Sequence, residues 1–305
     1  MTTQGTRLQE RIAAGKTILL AELAPPRGAD PAPLRAAAKR LAGAVHAAGI
    51  ADNRDAVSMS ALAAASIVAA EGLEPILHVT TRDRNRIALV SEALGAQALG
   101  IRNILCTSGS HQTLGPYRAA RNVYDVDSVQ LLQIYGRLAE DGAVVGEGAL
   151  SGVGPFCLGA VASPEAEPAE LQFARLARKA RAGATFLVTQ PIFDAERFAA
   201  WWREIEKRGL HEKAAIVAGI ELLTAERLAV APDAGRPASM IPEAAAKRVG
   251  SAADPTARRA AAVELAAETI GRLAGLRGLR GFSICGDGDA AAVTDILAKS
   301  GLRSD

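Results

Sequence analysis

The stretch PILHVTTRDRNRIALVSEALGAQALGIRNILCT, residues 75–107, carries the reading of the fold. It opens on a short apolar run at Pro75–Thr81, crosses a polar turn, and continues over Asn85–Leu94 with helical spacing and strong helix formers. A second apolar run closes it at Asn103–Thr107. This is strand, helix, strand. The same rhythm extends both ways, with strands predicted at Thr17–Leu23, Val45–Ala51, Phe156–Ala162, Phe186–Gln190, Ala215–Ile220 and Gly281–Cys285. Between them the spacing predicts helices at Pro31–Ala42, Ala56–Ala70, Asp127–Glu140, Ala169–Ala182, Asp194–Lys207 and Pro255–Leu273. Eight such units point to an α/β fold, a parallel (β/α)8 TIM barrel, with a doubly wound open sheet as the alternative.

Length alone leaves one domain or two open, since 305 residues is about two average domains but a β/α barrel of roughly 250 residues is one. Eight strand–helix units account for the chain, so residues 1–305 are expected to form a single barrel with enlarged loops at about 109–126 and 222–253. The balance of 35 basic and 33 acidic side chains gives no electrostatic case for nucleic acid or an anionic membrane. An aromatic content of 4% argues against a base-stacking platform, and 49% hydrophobic residues argue against disorder.

Cys106, Cys157 and Cys285 are far apart, odd in number and without metal-ligand spacing, so neither a metal site nor a disulfide framework is expected. The first residues, MTTQGTRLQERIAAGK, are too polar for a signal peptide. The longest uncharged run, Gly148 to Pro164, is broken by glycines and prolines, so no membrane span is expected and the protein is assigned to the cytoplasm.

In a barrel, chemistry belongs at the carboxyl ends of the strands. Polar residues gather there: Glu22, Asp52-Asn53, the run His78 to Arg86, Ser108 to His111, and Gln190. An apolar strand that ends in a lone glutamate, as ILLAEL does at Glu22, is informative because a carboxylate at a barrel mouth must be solvated, paired or partly desolvated. The plainer alternative for Glu22 is a salt bridge to Arg27 or Arg84. The stretch Gly286 to Ala291, GDGDAA, matches the form of a dinucleotide fingerprint, but the chain offers no following strand with an acidic residue about 20 positions on. It reads instead as the last strand-to-helix turn, with Asp289 as helix cap.

Seven segments together resemble the methylenetetrahydrofolate reductase family, especially its short, barrel-only bacterial members. They are AELAPPRG at 21–28, the turn Ala51-Asp52-Asn53, HVTTRDRNRIALVSEALGAQALGIRNILCTSG at 78–109, VYDVDSVQLL at 123–132, GAVASPEAEP at 159–168, ARKARAGATFLVTQPIFD at 177–194 and AGIELL at 218–223. The resemblance runs nearly end to end. It implies a flavin, FAD rather than FMN, that takes hydride from NADH or NADPH and reduces 5,10-methylenetetrahydrofolate to 5-methyltetrahydrofolate, with the oxidative direction open to the same site. Such chemistry needs a general acid to protonate the aniline-side nitrogen and open the ring.

By position, the resemblance makes Glu22 the catalytic acid and Gln190 the amide that reads the pterin. Asp52, Asn53 and Ser110 fall among its substrate contacts. His78, Thr80, Ser108, Gly109, Tyr124, Asp127 and Ser163 fall at flavin contacts, and Arg178 and Lys179 at the residues that hold the diphosphate. No metal is implied. Two positions depart from the pattern: Gly109-Ser110 stands where the family commonly has Gly-Asp, and Ser163 where members carry His or Asn. Loss of a negative charge beside a flavin pyrimidine raises its potential. A flavin-free reductase, a pterin-binding methyltransferase acting with a corrinoid or thiol acceptor, and a non-catalytic subunit remain as alternatives. The expected partners are a tetrahydrofolate derivative and a nicotinamide dinucleotide, with a homo-oligomer or a small partner protein left open.

Overall fold

The computed structural model describes residues 5–54, 56–114, 117–144, 148–229 and 241–304. The first half of the chain runs α1 (Arg7–Ala13), β1 (Ile18–Leu23), α2 (Ala32–Leu41), β2 (Ala47–Ile50), α3 (Ala61–Ala70), β3 (Pro75–Thr80), α4 (Arg86–Ala98), β4 (Asn103–Thr107) and α5 (Ser128–Asp141). The second half runs β5 (Cys157–Ala162), α6 (Ala169–Arg181), β6 (Phe186–Pro191), α7 (Ala195–Lys207), β7 (Ala215–Glu221), α8 (Ala225–Ala229), α9 (Glu243–Gly250), α10 (Pro255–Leu273), β8 (Gly281–Cys285) and α11 (Ala290–Ser300). The strands close on themselves in chain order, β1 to β8, all parallel. The fold is the (β/α)8 barrel, and the open-sheet alternative is excluded.

The two-residue period of each strand sorts its side chains. Ile18, Leu20, Ala47, Ile76, Leu105, Cys157, Phe186, Ala215 and Val217 point inward and fill the barrel, while their neighbours Leu19, Ala21, Ala48, Leu77, Ile104, Leu158, Ile216 and Ala218 pack outward against the helices. Phe186 fills the centre because Gly159 opposite leaves room: a Cβ there would lie 2.2 Å from the Phe186 ring. The floor is closed by α1, which the sequence reading did not anticipate. Its Leu8 is fully buried in the inner core, and Glu74 accepts hydrogen bonds from the Arg7 and Leu8 amides at 3.0 Å each.

The predicted strands hold to within two residues at each end. One helix starts late: α3 begins at Ala61, not at residue 56, because Ser60 caps it by accepting from the Ala63 amide and the preceding Met59 amide is tied to the Pro26 carbonyl. The turn at GDGDAA behaves as expected, with the Asp289 carboxylate accepting from the Ala292 amide at the start of α11. The segment after β4 carries a short 3-10 turn at Gln112–Leu114, and the one after β7 carries α8 and α9. Residues 115–116 and 230–240 of these two predicted loops lie outside the described residues. Cys106, Cys157 and Cys285 are buried and free. Among the described residues no helix is long and apolar enough to cross a membrane, and no cluster of side chains is suited to a metal.

Candidate active site

Inward-facing positions continue past the apolar core to the carboxyl ends of the strands, where they become polar. Strand parity places Glu22, His78, Thr80, Thr107, Ser163, Gln190, Glu221 and Cys285 on this inner rim. Glu22 pairs with Arg54, which comes from the turn after β2, and not with Arg27 or Arg84. It also lines a cleft of about 300 Å³ between β1 and β8, with Leu23, Pro26, Leu34, Gly286 and Val293 among its walls.

His78 rests over Gly49, where a Cβ would come within 2.6 Å of the ring Nε2. The imidazole is held below the ordinary histidine range by desolvation, which outweighs the opposing pull of Glu22 and Asp52. It is therefore neutral at pH 7. Cys285 is likewise neutral, its thiol pushed up to about 12 by burial and by the nearby Glu22. The carboxamide of Gln190, at the end of β6, has no hydrogen-bond partner among the described residues, so both its donor and its acceptor remain for a ligand.

Asp52 and Asn53 have a different task from Glu22. The Asp52 carboxylate is buried and accepts from Arg84 at 2.5 and 3.2 Å and from the Thr80 amide at 2.9 Å. Asn53, in the left-handed region at φ 45°, accepts from the Ser58 amide and donates to Asp52. Asp52 holds the β2 turn to β3 and Asn53 braces the turn internally, and Arg54 follows them at the mouth.

The flavin-side candidates cluster around β3, β4 and β5. Gly109 adopts φ 75° and lies so close to Thr80 that a Cβ would meet its methyl at 2.4 Å, which keeps a bare backbone there. The Ser108 hydroxyl accepts from the Ser128 amide, and the Tyr124 hydroxyl donates to the Gly109 carbonyl at 3.4 Å. Asp127 caps α5 in a reciprocal capping box with Gln130. Asp125, next to Tyr124, is clamped by Arg86 and held down at about 2. Ser163 follows β5, its carbonyl accepting from the Ala166 amide at 3.4 Å.

The pair Arg178-Lys179 is split. Arg178 lies on the exposed face of α6, whereas Lys179 turns under and donates to the Val161 carbonyl at 2.6 Å. Burial brings the Lys179 ammonium down to about 8, and no carboxylate among the described residues pairs with it.

Three residues of the mouth were not singled out from sequence. Arg82 is buried and braces three loops, donating to the Asn53 carbonyl at 3.0 Å and the Ser110 carbonyl at 3.1 Å while its own carbonyl accepts from the Val123 amide at 2.7 Å. Ser110 is thus fixed through its backbone. Arg54 and Glu221 are the other two. Glu221 ends the apolar run AIVAGIE just as Glu22 ends ILLAEL, so the signal that marked one glutamate applied equally to the other.

Solved structures share this architecture at low identity. A protein of uncharacterized function from Clostridium thermocellum, which binds two copies of 5-methyl-5,6,7,8-tetrahydrofolic acid, superposes with a TM-score of 0.62 at 12% identity, over 95% of this chain and 98% of that one. Tryptophan synthase from M. tuberculosis gives 0.52 at 11% identity, over 98% and 100%. Both likenesses speak to the fold alone. No curated protein sequence matches the chain. The sequence profile of methylenetetrahydrofolate reductase, in contrast, matches residues 7–301, which take in every strand of the barrel and the whole inner rim. The chain belongs to the methylenetetrahydrofolate reductase family.

Proposed function

We propose that this chain catalyses hydride transfer to 5,10-methylenetetrahydrofolate, giving 5-methyltetrahydrofolate, with a reduced nicotinamide dinucleotide as donor and FAD as the bound cofactor. The observation that carries the reading is Glu22. It is an inward carboxylate at the end of β1, bordering a cleft, with a single arginine donor from a loop. The bridging carbon of the folate is a poor hydride acceptor until the five-membered ring opens. A proton delivered by Glu22 to the aniline-side nitrogen opens it and leaves an electrophilic iminium carbon. Gln190, with donor and acceptor both uncommitted, suits the amide edge of a pterin and fixes that carbon relative to Glu22. The folate ligand of the Clostridium thermocellum protein is in keeping with this substrate class.

The residues at β3–β6 fit a flavin. The bare backbone at Gly109, packed on Thr80, allows close approach of a flat ring, and Lys179 supplies a half-buried cation, paired with no carboxylate among the described residues, for a diphosphate. When bound, the flavin supplies a relay of hydride from the nicotinamide to the folate. Ser110 stands at the position where the family commonly has a carboxylate, which favours a higher flavin potential than an aspartate there would give.

An absorbance spectrum of the purified protein, followed anaerobically by NADH and then by methylenetetrahydrofolate, tests the reading. A yellow protein that bleaches with NADH and recolours with the folate supports it. A colourless protein that still oxidises NADH in the presence of folate would instead favour direct transfer without flavin. Methyl transfer from methyltetrahydrofolate to a thiol or corrinoid, with no NADH oxidation, would replace the reductase by a methyltransferase.

A further inference from the structure

A second glutamate faces the mouth beside Glu22. Cys285 of β8 is the register partner of Glu22 on one side and of Glu221 on the other. Two strand spacings, roughly 10 Å of backbone, therefore separate the glutamates, with a neutral thiol between them. Arg54 reaches over that thiol, donating to Glu22 while its Nη1 lies 3.7 Å from the Cys285 sulfur. On the far side, the Arg227 Nε of α8 is 3.1 Å from Glu221. Asp287, which accepts from the Thr224 hydroxyl, is the remaining acidic group that Glu221 feels, and the neutral His78 faces Glu22.

Among the described residues Glu22 and Glu221 are the largely covered carboxyls of this arc, whereas Asp287 is exposed. Of two such carboxyls, the one farther from water retains a proton more easily. Glu221 is the more buried glutamate, and desolvation pushes its carboxyl above the usual range against the pull of Arg227 and Arg54. Glu22 presents the opposite problem. Its carboxyl oxygen is occupied by Arg54, and a general acid must carry a proton and face the substrate.

We propose that Glu22 and Glu221 act as one unit that shares a proton and Arg54. In the ligand-free site Arg54 pairs with Glu22 and the proton resides on Glu221. As folate enters, the two exchange: an O–H bond breaks on Glu221 and one forms on Glu22, while the guanidinium moves the other way to lie with Arg227 on Glu221. The net charge of the site is unchanged, so the exchange avoids the desolvation cost of exposing a new buried charge. Glu22 then gives its proton to the aniline-side nitrogen, retakes Arg54 as a carboxylate, and Glu221 is reprotonated from water. Glu221 is a positioning residue, acting through Glu22. The proposal rests on the reductase reading of Glu22.

Infrared spectra of the ligand-free protein test the resting arrangement. A protonated-carboxyl band should be present at neutral pH in the wild type and in Glu22→Gln and absent in Glu221→Gln. Its absence from the wild type, or its survival in Glu221→Gln, overturns the proposal. The pH profile of folate reduction tests the exchange. Glu221→Gln removes the second seat for Arg54, so the rate at neutral pH should fall roughly tenfold and the alkaline limb should move to lower pH by about one unit. Arg54→Met should move that limb to higher pH. Shifts of the same sign, or none, refute the exchange. Loss of all folate turnover in the wild type with the infrared pattern intact would sink the reductase reading instead, so the two failures are separable.

Discussion

Glu74 and Glu22 stand at opposite ends of the same barrel, one just before β3 on the floor and the other near the end of β1 at the mouth. Glu74 is surrounded by donors: the Arg7 amide and guanidinium, the Leu8 amide, and the Asn103 side chain at 2.8 Å. Most of its lone pairs are taken, and what they hold is α1 against the floor. Glu22 accepts from one guanidinium, carried on a loop and itself 41% exposed. A carboxylate saturated by backbone and neighbouring side chains has nothing left to offer a ligand, whereas one with a single movable partner can change hands. Burial alone does not separate the two, since both side chains are largely covered. The number and attachment of their donors does.

This contrast can be broken most sharply at Glu22. Glu22→Gln should slow reduction of the folate by roughly a hundred- to ten-thousandfold, the ordinary worth of a positioned general acid. The melting temperature and the anaerobic reduction of bound flavin by NADH should stay close to wild type. Stopped-flow spectra separate the two half-reactions, and an equal fall in both would make Glu22 a structural residue like Glu74.

Asp52 is an intermediate case, at the mouth but enclosed. Asp52→Asn leaves Arg84 with the Thr80 carbonyl at 3.4 Å and, as its remaining carboxylate among the described residues, Glu92 3.8 Å away, and removes a buried ion pair, so the chain should lose roughly 3 kcal/mol of stability in urea titrations. A variant with wild-type stability but a raised KM for folate would move Asp52 from holding the β2 turn to contacting substrate. Glu74→Gln should cost less, about 2 kcal/mol, because an amide keeps some acceptor capacity for the α1 amides. Turnover of the folded fraction should be unaffected. A loss of activity beyond the loss of folded protein would mean that the floor is coupled to the mouth.

The strands were legible because each is a short β-branched apolar run bounded by polar turns, and period two then dictates which side chains face inward. The floor was not. RLQERIA at 7–13 is too polar to announce a core helix, and only Leu8 and the Glu74 contacts reveal why it folds back. At the mouth, Glu22 and Gln190 stood out as polar ends of apolar strands. Arg54 and Arg82 did not, because a loop arginine carries no sign of which carbonyl or carboxylate it will meet across the barrel. The structure also sorts residues that sequence treats alike. Asp52 and Glu22 both follow apolar runs, yet one is enclosed by Arg84 and Thr80 while the other borders a cleft.

Arg178 and Lys179 repeat the contrast on the cofactor side, as neighbours in sequence with opposite surroundings. Arg178 is solvated; Lys179 is buried beside the Val161 carbonyl, and its ammonium is brought down to about 8 by desolvation and Arg175, with Asp127 opposing. The sign follows from that direction. A lysine whose folded pKa lies below its unfolded value destabilises the folded chain while it is charged, and the penalty fades as pH rises through about 8 toward the unfolded value. A bound diphosphate supplies the missing counter-charge, so cofactor affinity should be greatest below about 8 and fall above it by up to tenfold per pH unit. Lys179→Met should therefore raise the melting temperature of the cofactor-free protein at neutral pH, weaken FAD binding about tenfold, and flatten its pH dependence. Calorimetric titrations with FAD on either side of that pH, paired with thermal melts, check all three. A methionine variant that melts lower and binds FAD unchanged would make Lys179 a tie between α6 and β5, with a role like that of Glu74 at the floor.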